Sequence, residues 1–304
     1  MSGTDGSGGV RPGTRCLVVG AGIVGSCCAW HLARAGLEVT LLDREPPGQS
    51  TSFGNAACIS PSHVAPFSHP GVWKRIPGWL LDRLGPLTIR WRHLPWVAPW
   101  LWRFWRSGTE QGVLSAAEAQ ARLMRRVVED YDELLGEAGL SDYLRSRGLI
   151  VVYDRPEDFE QDRWSYELER DMGFPSRQLD RGEARELAPA LRTGEGPTLF
   201  VPSWRHTVNP ARMTADIAED ARRRGARWLR DEVRDVSAGA EGLPGGIRVT
   251  LAEAGTVETD WLVIAAGAWS NRLAERLDHA VPLAPKRGYH ATISEPGVAL
   301  DIPV

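Results

Sequence analysis

The most informative absences in this sequence concern long apolar runs, paired cysteines and net charge. No run of eighteen apolar residues occurs, so the sequence predicts no membrane-spanning helix. None of the four cysteines belongs to a Cys-x-x-Cys pair or lies near a histidine at metal-ligand spacing. This pattern predicts free thiols in a reducing, cytoplasmic compartment and no metal site. The formal charge of −3 gives no electrostatic reason to expect nucleic acid as a partner.

The composition is that of an ordinary globular protein. Hydrophobic residues make up 42% and charged residues 25% of the 304 residues, which excludes disordered and collagen-like classes and leaves room for two domains. The first fourteen residues are rich in Gly, Ser and Thr and contain no apolar core. We therefore expect residues 1–14 to form a disordered arm and not a secretory signal.

A glycine-rich turn between two apolar runs is the first motif with a chemical meaning. An apolar run leads directly into the Gly-x-Gly-x-x-Gly motif of residues 20–25, a helical run follows, and a second apolar run ends at Asp43. This order is the βαβ fingerprint of dinucleotide binding. Gly20 would make the tight turn, Gly22 would admit the pyrophosphate, and Gly25 would let the helix and strand pack closely. The helix N-terminus attracts phosphate, and Asp43 is placed to accept hydrogen bonds from a ribose.

A long stretch of small residues follows Asp43. Residues 44–61 are rich in Pro, Gly, Ser and Asn, which favour turns over a helix or a regular strand. A plain surface loop is one interpretation. The position directly after the ribose acid favours a loop that lines the cofactor.

Tryptophan and arginine are concentrated in residues 73–106. Seven of the thirteen tryptophans lie in this stretch, interleaved with basic residues. Such a mixture suits a membrane interface, and the 91–106 segment would then make peripheral contact with the inner face of the membrane. The alternative is a pair of helices that pack their rings into a second domain. We favour the packed helices, because four prolines divide the stretch into short pieces.

The remaining pattern alternates helices and strands. The sequence predicts helices over 115–136 and 156–172, a strand over 148–153, and a short helix opened by a capping box at Asp180. Asn209-Pro210 predicts a helix start. Four strands then lead to the apolar run 260–264, whose continuous apolarity predicts a strand covered on both faces that returns to the first sheet. A strand-like passage over 282–293 follows.

Three separated pieces together resemble one known family. The glycine fingerprint, the 51–56 loop and the Ala-Ala-Gly-Ala-Trp-Ser turn of residues 265–270 resemble the FAD-dependent D-amino-acid oxidase superfamily, or DAO family, and most closely its D-amino-acid dehydrogenases. Asn209-Pro210 and the 285–290 passage add to the resemblance, which extends from about Arg15 onward. Since members of this family continue past a position like Val304, we expect the sequence to be truncated at its C-terminus.

The resemblance implies a fold class and a division into domains. It implies an α/β protein with a discontinuous Rossmann-like FAD-binding domain of the glutathione-reductase type, interrupted by an α+β substrate domain on an antiparallel sheet. The FAD-binding domain would comprise 15–72 and 205–280. The substrate domain would comprise 73–204 and 281–304 and would be incomplete at its C-terminus.

The resemblance also implies site residues. Those that would hold FAD are Gly20, Ala21, Gly22, Ile23, Val24, Gly25, Asp43, Arg44, Thr51, Ser52, Asn55, Ala56, Val233, Ala265 and Gly267. Within this set Arg44 would lie beside the adenine and the Val233 backbone at its edge. The substrate-facing candidates are Arg287, as a carboxylate clamp, together with Tyr289 and His290.

The implied reaction is oxidation of a D-amino acid or related amine. A hydride would pass from the α-carbon to flavin N5, and the resulting imine would hydrolyse to a keto acid and ammonia. The flavin carries most of this chemistry, so no catalytic acid–base residue is assigned. The electron acceptor could be a quinone, a dye or oxygen. The alternatives are an amine oxidase of the glycine or sarcosine oxidase type, a non-catalytic flavin-binding fragment or subunit, and a nicotinamide dehydrogenase with the same fingerprint.

Overall fold

A computed structural model describes residues 11, 13–72, 76, 78, 91–239, 246–283, 285 and 288–304. Its α-helices are α1 (Ile23–Arg34), α2 (Leu94–Ser107), α3 (Glu110–Met124), α4 (Val127–Glu137), α5 (Pro156–Asp171), α6 (Arg181–Leu187), α7 (Pro210–Arg223) and α8 (Ser270–Ala274). Its strands are β1 (Arg15–Val19), β2 (Glu38–Asp43), β3 (Cys58–Ile59), β4 (Leu144–Arg145), β5 (Leu149–Val152), β6 (Arg177–Leu179), β7 (Thr198–Val201), β8 (Arg205–Thr207), β9 (Arg227–Arg230), β10 (Val233–Ala238), β11 (Ile247–Leu251), β12 (Thr256–Thr259) and β13 (Trp261–Ile264).

The contacts divide the chain into two compact units, which are described separately. The first unit comprises Met1–Ala57, Glu133–Arg145 and Thr207–Glu295, and the second comprises Cys58–Asp132, Ser146–His206 and Pro296–Val304, as far as these ranges are described. The contacts group residues 58–72 with the second unit, whereas the predicted boundaries put them in the FAD-binding domain. The described residues of 133–145 and 281–295 group with the first unit, whereas the predicted boundaries put them in the substrate domain. Residues 1–10 and 12 of the expected arm lie outside the described residues.

A parallel sheet organises the first unit. Its strand order is β13-β1-β2-β9, and all three pairings are parallel. The predicted return of the chain to the first sheet is therefore confirmed, because β13 pairs with β1 from Cys16 opposite Trp261 to Val19 opposite Ile264. The expectation that both faces of this strand are covered is wrong at Trp261, which is 50% exposed on the edge strand.

Helices α1 and α7 pack against each other in the same unit. Trp30 of α1 is fully buried, and its Nε1 donates a hydrogen bond to Oδ2 of Asp220 on α7 at 2.8 Å. The Arg224 guanidinium lies over the same ring, 4.6 Å from its centroid. Helix α7 begins as predicted, with the Asn209 side chain accepting a hydrogen bond from the Arg212 N–H at 2.9 Å. These contacts fix the helix layer that carries the glycine turn.

An antiparallel sheet, β10-β11-β12, completes the first unit. Buried residues from both sheets and from α8 form one core cluster: Leu17, Val19, Leu42, Val236, Val249, Leu251 and Leu273. The core therefore lies directly beneath the carboxyl ends of β1 and β2. The predicted strand over 282–293 is wrong, because none of the described residues in this passage adopts strand geometry.

The second unit contains its own antiparallel sheet, β5-β7-β6. Asp180 forms the predicted capping box with Glu183 at the start of α6. The structure has two helices where the sequence predicted a single helix over 115–136. Helix α3 ends at Met124, and helix α4 begins at Val127. Periodicity alone did not show this break, because the apolar spacing continues across it.

The tryptophan-rich helix α2 corrects a further expectation. None of its described side chains is buried, and Trp96, Trp100, Trp102 and Trp105 are 82%, 52%, 60% and 50% exposed. The favoured interpretation, in which these rings pack into a core, is therefore wrong for this helix. Its rings contact one another instead, with Trp102 and Trp105 having centroids 4.9 Å apart. In the described part of the chain, no helix combines the length and the apolarity that crossing a bilayer requires.

Candidate cofactor-binding site

A cavity of about 410 Å³ opens at the carboxyl ends of the parallel strands in the first unit. This edge of a parallel sheet is where doubly wound folds bind ligands. The volume lies within the ordinary range of ligand pockets. The lining residues are Val19, Gly20, Gly22, Ile23, Val24, Leu42, Asp43, Arg44, Ser50, Thr51, Ser52, Asp231, Glu232, Val233, Ile264, Ala265, Ala266, Gly267, Trp269, Ser270, Arg272 and Leu273.

Two glycines are required by close backbone approaches at the base of this cavity. Gly20 has φ +109°, and a Cβ there would lie 2.3 Å from the carbonyl oxygen of Ala265. A Cβ on Gly25 would lie 1.7 Å from the carbonyl oxygen of Gly20. A larger residue at either position would push β1, α1 and the 265–267 turn apart, so the glycine spacing is a packing requirement as well as a binding motif.

The N-terminus of α1 faces the cavity through Gly22 and Ile23. Gly22 is the N-cap and has no side chain that could cap the helix. Ser52, which is buried, replaces part of this cap because its Oγ accepts a hydrogen bond from the Ile23 N–H at 3.0 Å. The only atom near a Cβ built on Gly22 would be this Oγ, at 3.6 Å. The helix end and its partial positive charge are therefore open to an anionic group of a ligand.

Asp43 is held in place by two backbone donors. Its Oδ2 accepts from the Ala21 N–H at 2.7 Å, and its Oδ1 accepts from the Glu45 N–H at 3.1 Å. A carboxylate has about four acceptor positions, so about two remain for a ligand. The hydrogen bond to Ala21 joins the acid directly to the glycine turn.

Arg44 and Trp269 form the outer part of the cavity. The Arg44 guanidinium lies 4.7 Å from the centroid of the Trp269 ring, a cation–π contact between two lining residues. Trp269 itself is 47% exposed. Together the two side chains present a flat, partly charged surface next to the ribose-binding candidate Asp43.

Asp231 and the two residues after it line another part of the wall. The Asp231 carboxylate is buried and accepts hydrogen bonds from four backbone N–H groups, with the shortest at 2.7 Å from Glu232 and 2.8 Å from Ala254. Burial acts to raise the pKa of this carboxyl group, but the backbone donors outweigh it, and the pKa of Asp231 is lowered from its ordinary value.

The structure brings together most of the predicted cofactor residues. Eleven of the fifteen line the cavity: Gly20, Gly22, Ile23, Val24, Asp43, Arg44, Thr51, Ser52, Val233, Ala265 and Gly267. Ala21 and Gly25 lie directly beneath it. Asn55 and Ala56 do not line it, since the Asn55 side chain accepts from the Ala57 N–H at 2.8 Å and so stabilises its own turn. FAD binding by each of these residues stays a prediction.

Two of the three substrate candidates are described, and neither lines the cavity. Arg287 lies outside the described residues. Tyr289 is 86% exposed, and neither it nor His290 is among the described residues that line the cavity. The His290 ring lies against the 51–56 loop, because a Cβ built on Gly54 would be 2.5 Å from its Cε1. Their roles toward a substrate also stay predictions.

Sequence reasoning missed about half of the cavity wall. Some of the missed residues, such as Trp269 and Ser270, belong to the motif already quoted and could have been included with it. Asp231 and Glu232 directly precede the predicted Val233. No sequence signal points to Arg272 or Leu273, which reach the cavity because α8 follows the 265–270 turn.

The residues present fit FAD. The open helix end at Gly22 suits a pyrophosphate, and the free acceptor positions of Asp43 suit a ribose. The flat Arg44–Trp269 pair and the start of β10 suit the edge and face of an adenine. FAD would thus be held by Gly22, Asp43, Arg44 and their neighbours in the first unit.

Comparison with known proteins agrees with this geometry. Residues 15–304 match the sequence profile of the family described as DAO, FAD dependent oxidoreductase. The chain is 32% identical over 287 residues to a D-amino-acid oxidase of Bradyrhizobium diazoefficiens, which covers 93% of this chain and 67% of that protein. It is 31% identical over 291 residues to a D-amino acid dehydrogenase of Dechloromonas aromatica, covering 92% of this chain and 68% of that protein.

Solved structures share the fold at lower identity. Glycine oxidase from Geobacillus kaustophilus superposes with a TM-score of 0.57 at 21% identity, over 87% of this chain and 59% of that one. L-proline dehydrogenase from P. horikoshii gives a TM-score of 0.59 at 21% identity, over 88% and 57%. The chain thus spans less than two thirds of these structures. The profile match over nearly the whole sequence confirms the predicted family and cofactor, and the chain belongs to the DAO family of FAD-dependent oxidoreductases.

Proposed function

We propose that the protein oxidises the CH–NH bond of a D-amino acid or a related amine, with FAD bound in the cavity of the first unit. The observation that carries the FAD-binding part of this proposal is the joint presence, in one cavity, of an open helix end at Gly22 and a carboxylate held in place at Asp43. The relatives named D-amino-acid oxidase and D-amino acid dehydrogenase support the substrate class. The imine product would hydrolyse to a keto acid and ammonia.

The chain's own residues chiefly bind and orient. Bound FAD supplies the two-electron oxidation. Ser52 caps the Ile23 N–H at the α1 N-terminus, which would receive the pyrophosphate, and Asp43, held by the Ala21 N–H, would accept from the adjoining sugar. We propose that the first unit is the FAD-binding domain and that the second unit, with its β5-β7-β6 sheet, contributes to the substrate domain.

Flavin content and reactivity test the proposal. The purified chain should carry a flavin absorption spectrum or take up added FAD, and a D-amino acid should bleach it under anaerobic conditions. The panel should include D-proline, glycine and sarcosine, with L-proline as the matched control for D-proline. Bound FAD that no amine bleaches would favour the non-catalytic fragment or subunit, and bleaching by glycine or sarcosine alone would favour that oxidase type. Failure to bind FAD at all would contradict the proposal.

The electron acceptor is tested separately from the substrate. In an oxidase the reduced flavin passes its electrons to oxygen and hydrogen peroxide is released, whereas in a dehydrogenase a quinone or dye accepts the electrons. Peroxide yield and dye reduction should be measured on the same preparation with the same amine. We propose the dehydrogenase type, on the stated resemblance, and a stoichiometric peroxide yield would contradict it.

Helix α2 supports a second proposal, peripheral binding to an anionic membrane surface. Four of its tryptophans are at least half exposed, and residues 91–107 contain three arginines and one histidine but no acidic residue. Indole rings settle at the headgroup level, and the positive charge complements anionic lipid. The proposed occupant of this surface is therefore a lipid headgroup layer and not a protein partner.

Vesicle sedimentation tests the membrane proposal. The wild-type chain should bind vesicles that contain phosphatidylglycerol, bind pure phosphatidylcholine less, and lose binding in high salt. The triple variant Trp100→Ala, Trp102→Ala, Trp105→Ala should lose binding at least tenfold. Trp261→Ala is a matched control, because Trp261 is as exposed as Trp105 but lies on β13. Equal binding by the triple variant would overturn the proposal.

A further inference from the structure

Asp231 joins three segments of the first unit. Its backbone N–H donates to the carbonyl oxygen of Asp43 at 3.1 Å, which links it to the end of β2. Its carboxylate accepts from the N–H of Glu232 at the start of β10. The same carboxylate accepts from the turn between β11 and β12, at 3.1 Å from Ala252 and 2.8 Å from Ala254.

The two residues after Asp231 form the wall next to the adenine-binding candidates. Glu232 and Val233 line the cavity together with Asp43 and Arg44. The Glu232 carbonyl oxygen also accepts from the Ala252 N–H at 2.9 Å, so this wall is tied to the same turn. The Asp231 backbone therefore holds the wall to the end of β2, and the buried Asp231 carboxylate holds the wall to the turn between β11 and β12.

We infer that Asp231 is a positioning residue that fixes the adenine-side wall of the FAD cavity. The inference rests on the proposed site of FAD binding. Both carboxylate oxygens of Asp231 accept backbone donors, with Oδ1 receiving Glu232 and Ala252 and Oδ2 receiving Ala254. In an Asp231→Asn variant, the NH₂ group would replace one of the two acceptor oxygens and would face backbone N–H groups that also donate. Because two donors cannot pair, the turn and the wall would have to move apart.

Ligand binding to a folded variant separates positioning from stability. The probes are FAD, followed by flavin fluorescence, and ADP, followed by calorimetry, at a temperature where every variant is folded by circular dichroism. Asp231→Asn should weaken both probes at least tenfold. Glu253→Gln is a matched control, because it is also an acid-to-amide change and its exposed side chain lies in the turn that Asp231 binds. It should bind both probes as the wild type does.

A second control addresses general loss of stability. Leu135→Ala removes part of a fully buried side chain in α4 of the first unit, away from the cavity lining, and should lower the unfolding temperature without moving the wall. Unchanged ADP affinity in Asp231→Asn, or an equal loss in Leu135→Ala, would overturn the inference. Asp231→Glu keeps the charge and should bind ADP more tightly than Asp231→Asn but less tightly than the wild type. It replaces Asp231→Asn in the test if the amide variant does not fold. A wild-type chain that binds neither FAD nor ADP would instead contradict the proposed function, and the inference with it.

Discussion

Two buried carboxylates, one in each unit, have pKa values shifted in opposite directions. Asp231 and Glu169 are both 6% exposed. The pKa of Asp231 is lowered from 3.8, whereas the pKa of Glu169 is raised from 4.5 to about 7. Equal loss of solvent contact therefore does not decide whether a carboxyl group keeps its charge.

The number of donors and the depth of burial explain the difference. Asp231 has four backbone N–H partners, and these donors outweigh the loss of water. Glu169 on α5 lies deeper among protein atoms, so desolvation dominates and raises its pKa. The Ser62 hydroxyl donates to Glu169 and is the one group that lowers it. The Ser62 Oγ in turn accepts from the Trp204 Nε1 at 2.9 Å.

The comparison distinguishes two uses of a buried acid. The surroundings of Asp231 keep it charged, and its carboxylate holds backbone N–H groups from two segments together, as the wall of a binding cavity requires. Glu169 is built to carry a proton near neutral pH, and it joins α5 to the 60–64 segment within the second unit. Variants that change the donors should therefore affect the two sites differently.

Removing the Ser62 hydroxyl, which donates to Glu169, should have the largest effect. Ser62→Ala takes a donor from the Glu169 carboxylate and the acceptor from the Trp204 N–H within the second unit. Since each buried unsatisfied group costs about 1–3 kcal/mol, we expect a loss of about 3 kcal/mol at pH 8. The loss should be smaller at pH 5, where Glu169 is protonated. Chemical denaturation at the two pH values measures it.

Ser165, which lies on helix α5 with Glu169, provides the control for Ser62→Ala. The Ser165 Oγ donates to the Asp162 carbonyl oxygen within α5, at 2.7 Å. Ser165→Ala should change the free energy of unfolding by less than about 1 kcal/mol at both pH values. Similar losses in both serine variants would show that Glu169 does not depend on Ser62.

Neutralising Glu169 should have the next largest effect, with the opposite sign. Because its pKa is raised on folding, the folded state holds a proton that the unfolded state releases between pH 4.5 and about 7. Wild-type stability should therefore fall as the pH rises through this range and level off above it. Glu169→Gln removes this dependence and should stabilise the protein by about 2 kcal/mol at pH 8, with little change at pH 4.5.

Glu167→Gln is the matched control for the Glu169 variant. Glu167 lies on the same helix but is exposed, so Glu167→Gln should not stabilise the protein at pH 8 as Glu169→Gln does. A wild-type free energy of unfolding that is flat from pH 5 to pH 8 would contradict the assignment of a raised pKa to Glu169.

The sequence predicted the parts of the fold that depend on local chemistry. The glycine turn, Asp43 and the Asn209 cap were predictable because each needs a particular residue type within a few positions of its partner. The continuous apolar run of β13 correctly predicted its return to β1, although it overstated how fully the strand is covered. Most of the cavity's glycine and serine residues follow from these elements.

The rest depends on contacts between distant residues, which periodicity does not encode. Asp231 acquires its role from a turn more than twenty residues later, and Glu169 from Ser62, over a hundred residues earlier. The exposure of α2 was also unpredictable, since a tryptophan-rich amphipathic pattern is the same whether it faces a core or a membrane. Only the tertiary environment distinguishes these cases.

The smallest expected effect is the contribution of Asp231 to pH dependence near neutrality. A carboxyl group whose pKa is lowered on folding stabilises the folded state above its unfolded value, near 3.8, and this stabilisation is lost as the pH falls through the folded pKa. Asp231→Asn should therefore lower stability by a constant amount from pH 5 to pH 8, giving curves parallel to the wild type. The two curves should converge only below about pH 4, as measured by thermal unfolding across the range. Convergence nearer pH 7 would mean that Asp231 behaves like Glu169, and that its backbone donors do not outweigh burial.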